Sequence, residues 1–352
     1  MNKRMFLILC AIAVGCQPKT EQAAAIDTPT AADSALWVRA QEFFRQLPPV
    51  AESESNTITE AKVRLGQVLF YDPRISKSGK SSCNSCHNLS SWGVDNIPAS
   101  ADSLDNPTQR NAPTVLNAAL HNMQFWDGRA LTIEEQAGKP ILNQEEMAVP
   151  HLGFLVNRLR HDSMYRVLFN EAFPGEMIPI SYTNLQKAIG AFERTLLTPS
   201  RFDGYMAGDL RSLTAAEREG LALFMDVGCA SCHNGVGVGG GSMQRFGIFT
   251  DFRTLTRSRI DDEGRLNITG DLSEKDKFKV PGLRNVDKTY PYFHDGSIAT
   301  LDSSVQIMAR TALNKTLDAD QVKAIVAFLG TMTGDIREEA KQVPKVLSGA
   351  MQ

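Results

Sequence analysis

Cys83-Asn84-Ser85-Cys86-His87 decides how the rest of this chain is read. Two thiols three residues apart, with an imidazole directly after the second, form the pattern that tethers a c-type haem by two thioether bonds and supplies its proximal iron ligand. On a helix, positions i, i+3 and i+4 project from one face, so all three side chains can meet one flat porphyrin. The pattern recurs at Cys229-Ala230-Ser231-Cys232-His233. Two covalently bound haem c groups are therefore expected, on Cys83 and Cys86 and on Cys229 and Cys232, with His87 and His233 on the irons. A structural zinc tetrahedron made from the four thiols is the rival reading, which the His after each pair disfavours.

A chain of 352 residues, 42% of them hydrophobic, has the material for about two domains. Its net charge of −3 gives no basic footprint for nucleic acid. Lys3 and Arg4 precede an apolar run from Met5 to Val14 that is too short to span a bilayer, so residues 1–16 read as an export signal. Gly15-Cys16 resembles a lipoprotein processing site, which leaves open a lipid anchor on Cys16 or its removal together with Cys10. The other four of the six cysteines all lie in haem motifs, so no disulfide framework remains. The expected location is periplasmic, with membrane anchoring as a lipoprotein left open.

Residues 17–34 are polar and aperiodic and read as a flexible tether, with order beginning near Ala35. Leu65, Val68 and Leu69 show helical spacing ahead of the first haem motif, and a long loop from Asn88 to Ala112 covers something. Leu185, Ile189, Phe192 and Leu196 share a helical face that ends at Thr198-Pro199-Ser200, where the domain boundary is placed. Thr214 to Glu217 has the form of a capping box and opens a helix towards the second motif. Gly235 to Gly241 follows no apolar strand and reads as a flexible loop. Val322, Ile325, Val326 and Leu329 form a terminal helical stripe. The expected fold is all-α with long loops, two cytochrome c-like haem domains over 35–199 and 200–352.

Methionine is a common sixth ligand of electron-transfer haem c, and composition leaves Met243, Met308 and Met332 as candidates at the second site. A resemblance separates them. Lys279 to Val286, Tyr290 to Ser297 and Val305 to Met308, with Arg110 to Asn117 and Gln124 to Ala130, closely resemble bacterial di-haem cytochrome c peroxidases and the related MauG-type enzymes. The likeness implies Met308 as the distal ligand of the C-terminal, high-potential haem, where MauG carries Tyr. It implies Trp126 as an electron relay between the haems, and Glu146 as the catalytic carboxylate with Gln136 and Phe125 as pocket neighbours. A register shift of one in that loop would make Glu145 the working residue. It further implies an interdomain calcium ion held by Asn111 and the backbone carbonyls of Thr289 and Pro291, hard oxygen ligands that suit this ion.

One departure stands out. In the common di-haem peroxidases a His from the loop after the first motif blocks the N-terminal iron at rest. Here that loop has no His, and alignment places Ser103 at the position. His121, His151 and His161 remain as alternative sixth ligands, with His121 read as a surface or second-shell residue. The expected function is reduction of hydrogen peroxide by electrons from a small periplasmic cytochrome c or cupredoxin, with the first iron open without reductive activation. A MauG-like oxidation of Tyr or Trp side chains of a partner protein, and a non-enzymatic di-haem electron carrier, are the alternatives. Dimerisation is left open by the sequence.

Overall fold

The computed structural model describes residues 28–100 and 108–348, so the export signal, Cys10, Cys16 and Ser103 lie outside the described residues. Two helix pairs set the architecture. Glu60–Tyr71 packs on Tyr182–Glu193, and Ala215–Val227 packs on Ala319–Gly330. Both pairs approach closely because a glycine faces a carbonyl. A Cβ on Gly66 would fall 1.9 Å from the Ala188 oxygen, and one on Gly220 would fall 2.0 Å from the Ala324 oxygen. One turn further along stand matching aromatic contacts, Phe70 on Phe192 at 5.4 Å and Phe224 on Phe328 at 5.3 Å between ring centroids. Each pair thus buries an aromatic seam behind a backbone-to-backbone crossing, and each leads into a haem motif.

Local signals explain where these helices start and stop. Thr214 Oγ1 accepts from the Glu217 amide at 3.3 Å while the Glu217 carboxylate accepts from the Thr214 amide at 2.8 Å, the expected capping box. Gly228, at φ 109°, ends that helix in the left-handed region and turns the chain into Cys229. The first motif forms a short helix, Cys83–Cys86, in which the His87 amide donates to the Cys83 carbonyl at 2.9 Å; the His233 amide does the same to Cys229 at 3.0 Å. Each imidazole is therefore placed one turn beyond its first thiol.

The fold is helical, as expected, and the only sheet among the described residues is a ribbon of Met243–Arg245 against Lys277–Lys279, with Met243 opposite Lys279. Two apolar cores form. Leu65, Leu69, Phe70, Phe169 and Phe192 belong to the first, and Phe202, Leu221, Phe224 and Phe328 to the second. The cores do not follow a single cut in the chain. Ala40 and Phe44, at the end of helix Ala31–Phe43, join the second core, whereas Ile336, Ala340 and Leu347 join the first. Tyr71 Oη donates to the Ala340 carbonyl at 2.9 Å and fastens that returning segment.

Helix Ala31–Phe43 corrects the expected tether through residue 34. Thr30 caps it, accepting from the Asp33 amide at 3.3 Å, and Asp33 accepts from buried Arg218 Nε at 2.6 Å. Capping and this long-range ion pair order a stretch whose polar composition gave no apolar period.

Candidate active site

A single cavity of about 720 Å³ runs along both haem motifs. Cys86 and His87 line one part, and Cys229, Cys232 and His233 another. The fit to haem c rests on the donor set. All four motif thiols are free. The Nδ1 atoms of His87 and His233 are buried without a hydrogen bond of ordinary geometry, and backbone groups of Gly93 and Pro113 flank the first ring as those of Pro281 and Val238 flank the second. Burial holds His87 below the usual histidine range and pushes His233 down to about 4, so both rings are in the neutral form that binds a metal. Among the described residues no three His, Cys, Asp or Glu side chains converge as a metal cage, which removes the zinc tetrahedron.

The same cavity gathers Phe125, Trp126, Gln136 and Glu146. Gln136 lies on helix Ile133–Leu142, and Glu146 on the turn that follows it. Asn143 Nδ2 donates to Glu146 Oε1 at 2.8 Å. Burial raises the Glu146 carboxyl above the usual carboxylate range, against the Asn143 hydrogen bond and the charge of Arg129, which lower it. Glu145 also reaches the cavity but is exposed. Arg129 lies 3.5 Å over the Phe125 ring and pairs with buried Asp127 at 2.7 Å, so a fixed cation stands over this wall.

Trp126 lines the cavity and is held by segments of both domains. Its Nε1 donates to the Asn111 carbonyl at 2.9 Å, and its carbonyl accepts from the Lys279 amide at 2.7 Å. Asn111 Nδ2 in turn meets the carbonyls of Pro291 at 2.7 Å and Phe293 at 3.3 Å, and Thr289 lines the same region. Arg110 ties this first-domain segment to the second domain through Asp262, Nε to carboxylate 2.7 Å, and also binds Asp127.

Of the three methionines, Met308 lines the cavity, from helix Leu301–Leu313. Met332 is fully buried in the second core, and Met243 lies on the ribbon with its sulfur close to Gly128. The histidines resolve in a similar way. His151 caps helix Leu152–His161 by accepting from the Phe154 amide at 3.1 Å, and His161 ends that helix, exposed; neither lines the cavity. His121 lies against Gly237, Gly240 and Gly282 of the second domain and 3.2 Å from Lys279 Nζ. The ring is half-buried, packed against second-domain glycines and set beside Lys279 in the cavity lining.

Four cavity residues escaped the sequence reading. His294 stacks on Phe278 at 4.2 Å, and its Nε2 is buried without a partner. Glu193 is buried with Oε2 unpartnered, and burial pushes it up to about 8. Lys279 and Asn143 complete the set. His294 and Lys279 stand inside quoted runs, but only the fold shows that they are enclosed.

One cavity bearing two c-type attachment motifs, and lined by Glu146 and Met308 as well, defines a di-haem c-type cytochrome. The family description "Di-haem cytochrome c peroxidase" matches residues 60–211, and "Cytochrome c" matches 217–333. Cytochrome c551 peroxidase of Nitrosomonas europaea is 46% identical over 272 residues, 77% of this chain and 79% of its own length. Cytochrome c551 peroxidase of Pseudomonas aeruginosa is 41% identical over 312 residues, 87% of this chain and 89% of its own. The MauG protein of Methylophilus methylotrophus is 31% identical, covering 87% of this chain and 92% of its own. A crystal structure of a MauG-like protein associated with microbial copper homeostasis superposes with a TM-score of 0.74 at 30% identity, over 85% of this chain and 97% of that one. The chain belongs to the di-haem cytochrome c peroxidase and MauG family, and its kinship with the peroxidases makes it a peroxidase oxidoreductase.

Proposed function

We propose that the chain reduces hydrogen peroxide at the Cys83, Cys86 and His87 site, with electrons entering at the Cys229, Cys232, His233 and Met308 site. The observation that carries this reading is the enclosure of Glu146, Gln136, Phe125 and Trp126 in one cavity with both motifs. Haem bound at the first motif supplies the peroxide-binding iron, and haem at the second supplies an electron carrier. Each peroxide takes up two electrons and two protons and leaves as two waters. Glu146 accepts the proton of the near peroxide oxygen and returns it to the far one. Asn143 holds Oε1 for this step, and among the described residues Oε2 carries no hydrogen bond from the chain. Gln136 and Phe125 close the pocket around the peroxide, and Trp126 offers a π-system between the motifs for single electrons.

The donor in this reading is a small periplasmic cytochrome c or cupredoxin, met in the compartment to which residues 1–16 direct the chain; an anchor on Cys16 and a homodimer belong to the same proposal. No helix among the described residues is long and apolar enough to cross a membrane. Asn111 with the Thr289 and Pro291 carbonyls would hold calcium. A half-turn of the Asn111 amide puts its oxygen where its nitrogen now meets Pro291.

The first iron is proposed to be open at rest, because the loop from Asn88 to Ala112 has no His and His121 is engaged by Lys279. That absence also favours a second reading, MauG-like oxidation of Tyr or Trp side chains in a partner protein. Electron paramagnetic resonance of the ferric protein as isolated, followed by turnover without pre-reduction, separates the readings. A high-spin signal and immediate turnover with reduced cytochrome c support the peroxidase. A long-lived oxidised state with slow turnover supports the second reading. Two low-spin signals without turnover leave only an electron carrier.

A further inference from the structure

The stretch Gly235 to Gly241, expected to be a flexible loop, joins Gly282 in cradling His121. A Cβ on Gly240 would fall 2.1 Å from His121 Cδ2, one on Gly282 2.6 Å from Nε2, and one on Gly237 3.3 Å from Cδ2. These positions lack side chains because an imidazole occupies the space. Its Nδ1 remains for Lys279, whose Nζ lies 3.2 Å away.

Lys279 is 5% exposed, too little for water to solvate an ammonium. Among the described residues it makes no ion pair. Asp127, the carboxylate whose field reaches it, is already shared by Arg110 and Arg129. Burial pushes Lys279 down to about 8, and burial with the Lys279 charge holds His121 well below the usual histidine range. A buried ammonium facing a neutral imidazole lacks a counter-ion, and a cation so placed is costly unless an anion completes the site. Both side chains line the haem cavity, and the Lys279 amide donates to the Trp126 carbonyl, so the Lys279 backbone is anchored to that of the tryptophan.

Haem brings its own anions, two propionate carboxylates on one edge of the ring. We infer that Lys279, held by His121 in its glycine cradle, pairs with a haem propionate at the seam between the two haems. The inference rests on the two-haem reading. His121 acts through Lys279 and is a positioning residue. Removing the ammonium leaves a carboxylate uncompensated near the iron, which favours the ferric state and lowers the reduction potential.

The test is a redox titration of the Lys279→Met holoprotein across pH, with Lys279→Arg beside it and haem content measured by pyridine haemochrome absorbance. In Lys279→Met one haem's potential should fall and its pH dependence move, while Lys279→Arg returns both towards wild type. The haem that shifts owns the propionate. Unchanged potentials and pH dependence in Lys279→Met with both haems attached overturn the inference. Should Lys279→Met fail to fold, the wild-type holoprotein crystal structure decides: Nζ within about 4 Å of a propionate oxygen supports the pairing, and a longer separation overturns it. Fewer than two haems in the wild type would instead overturn the reading on which it rests.

Discussion

Asn143 and Glu146 are joined by a 2.8 Å hydrogen bond from the amide to Oε1, across a single turn that leaves Glu145 exposed. The bond favours the carboxylate while burial opposes it. Glu146→Gln should cut peroxide turnover by about 10²–10⁴-fold, the usual scale of general acid–base catalysis, with both haems still attached. Wild-type rates in that variant would refute the assigned role, and the same loss in Glu145→Gln would shift it by one residue.

The raised Glu146 pKa gives that role a pH signature. Its basic form is lost as pH falls through a value above the usual carboxylate range, so turnover should decline on the acid side earlier than for an exposed glutamate. Asn143→Ala removes a group that lowers the pKa, so the acid limb should move to still higher pH. A pH–rate profile checks this, and an unmoved limb would mean that another group titrates.

Met308→Ala should lower the potential of the second haem, since a thioether ligand raises it. Redox titration reads the shift, and Met332→Leu, a change in the core away from the cavity, is the comparison. Equal potentials in Met308→Ala and wild type would place the ligand elsewhere.

Gly66→Ala and Gly220→Ala should each destabilise the fold by about 1–3 kcal/mol, because the added methyl meets backbone rather than a movable side chain. Denaturant melts give the value. A neutral result at either position would show that the helices part easily.

Glu193 should tilt stability against pH. Its pKa rises from 4.5 to about 8 on folding, with burial the largest cause. Between those values the folded chain keeps a proton that the unfolded chain has released, so stability falls as pH rises through the window. Thermal melts of Glu193→Gln should lack this slope; parallel pH curves for the two proteins would remove Glu193 from the account.

The haem motifs, the helical class and the Thr214 cap were legible because their signals are local, fixed by spacings of three or four residues. Glu146 and Met308 needed resemblance, since single carboxylates and thioethers carry no local pattern. Lys279 and His121 were beyond both, although each was in view. They lie 158 positions apart, and only packing brings an ammonium to an imidazole. The glycines misled for the same reason: their spacing looks like slack chain, while the space that they leave is filled by a ring from the other domain.

The exchange of chain ends between the two cores has a consequence for how such a molecule can be taken apart. Helix Ala31–Phe43 precedes the first haem unit yet seals the second, and the segment from Ile336 to Leu347 follows the second yet seals the first. A break near Thr198 therefore does not yield two free-standing cytochromes. Each fragment would leave with a plug that belongs to the other, so the two redox centres are inherited, folded and lost as one indivisible machine.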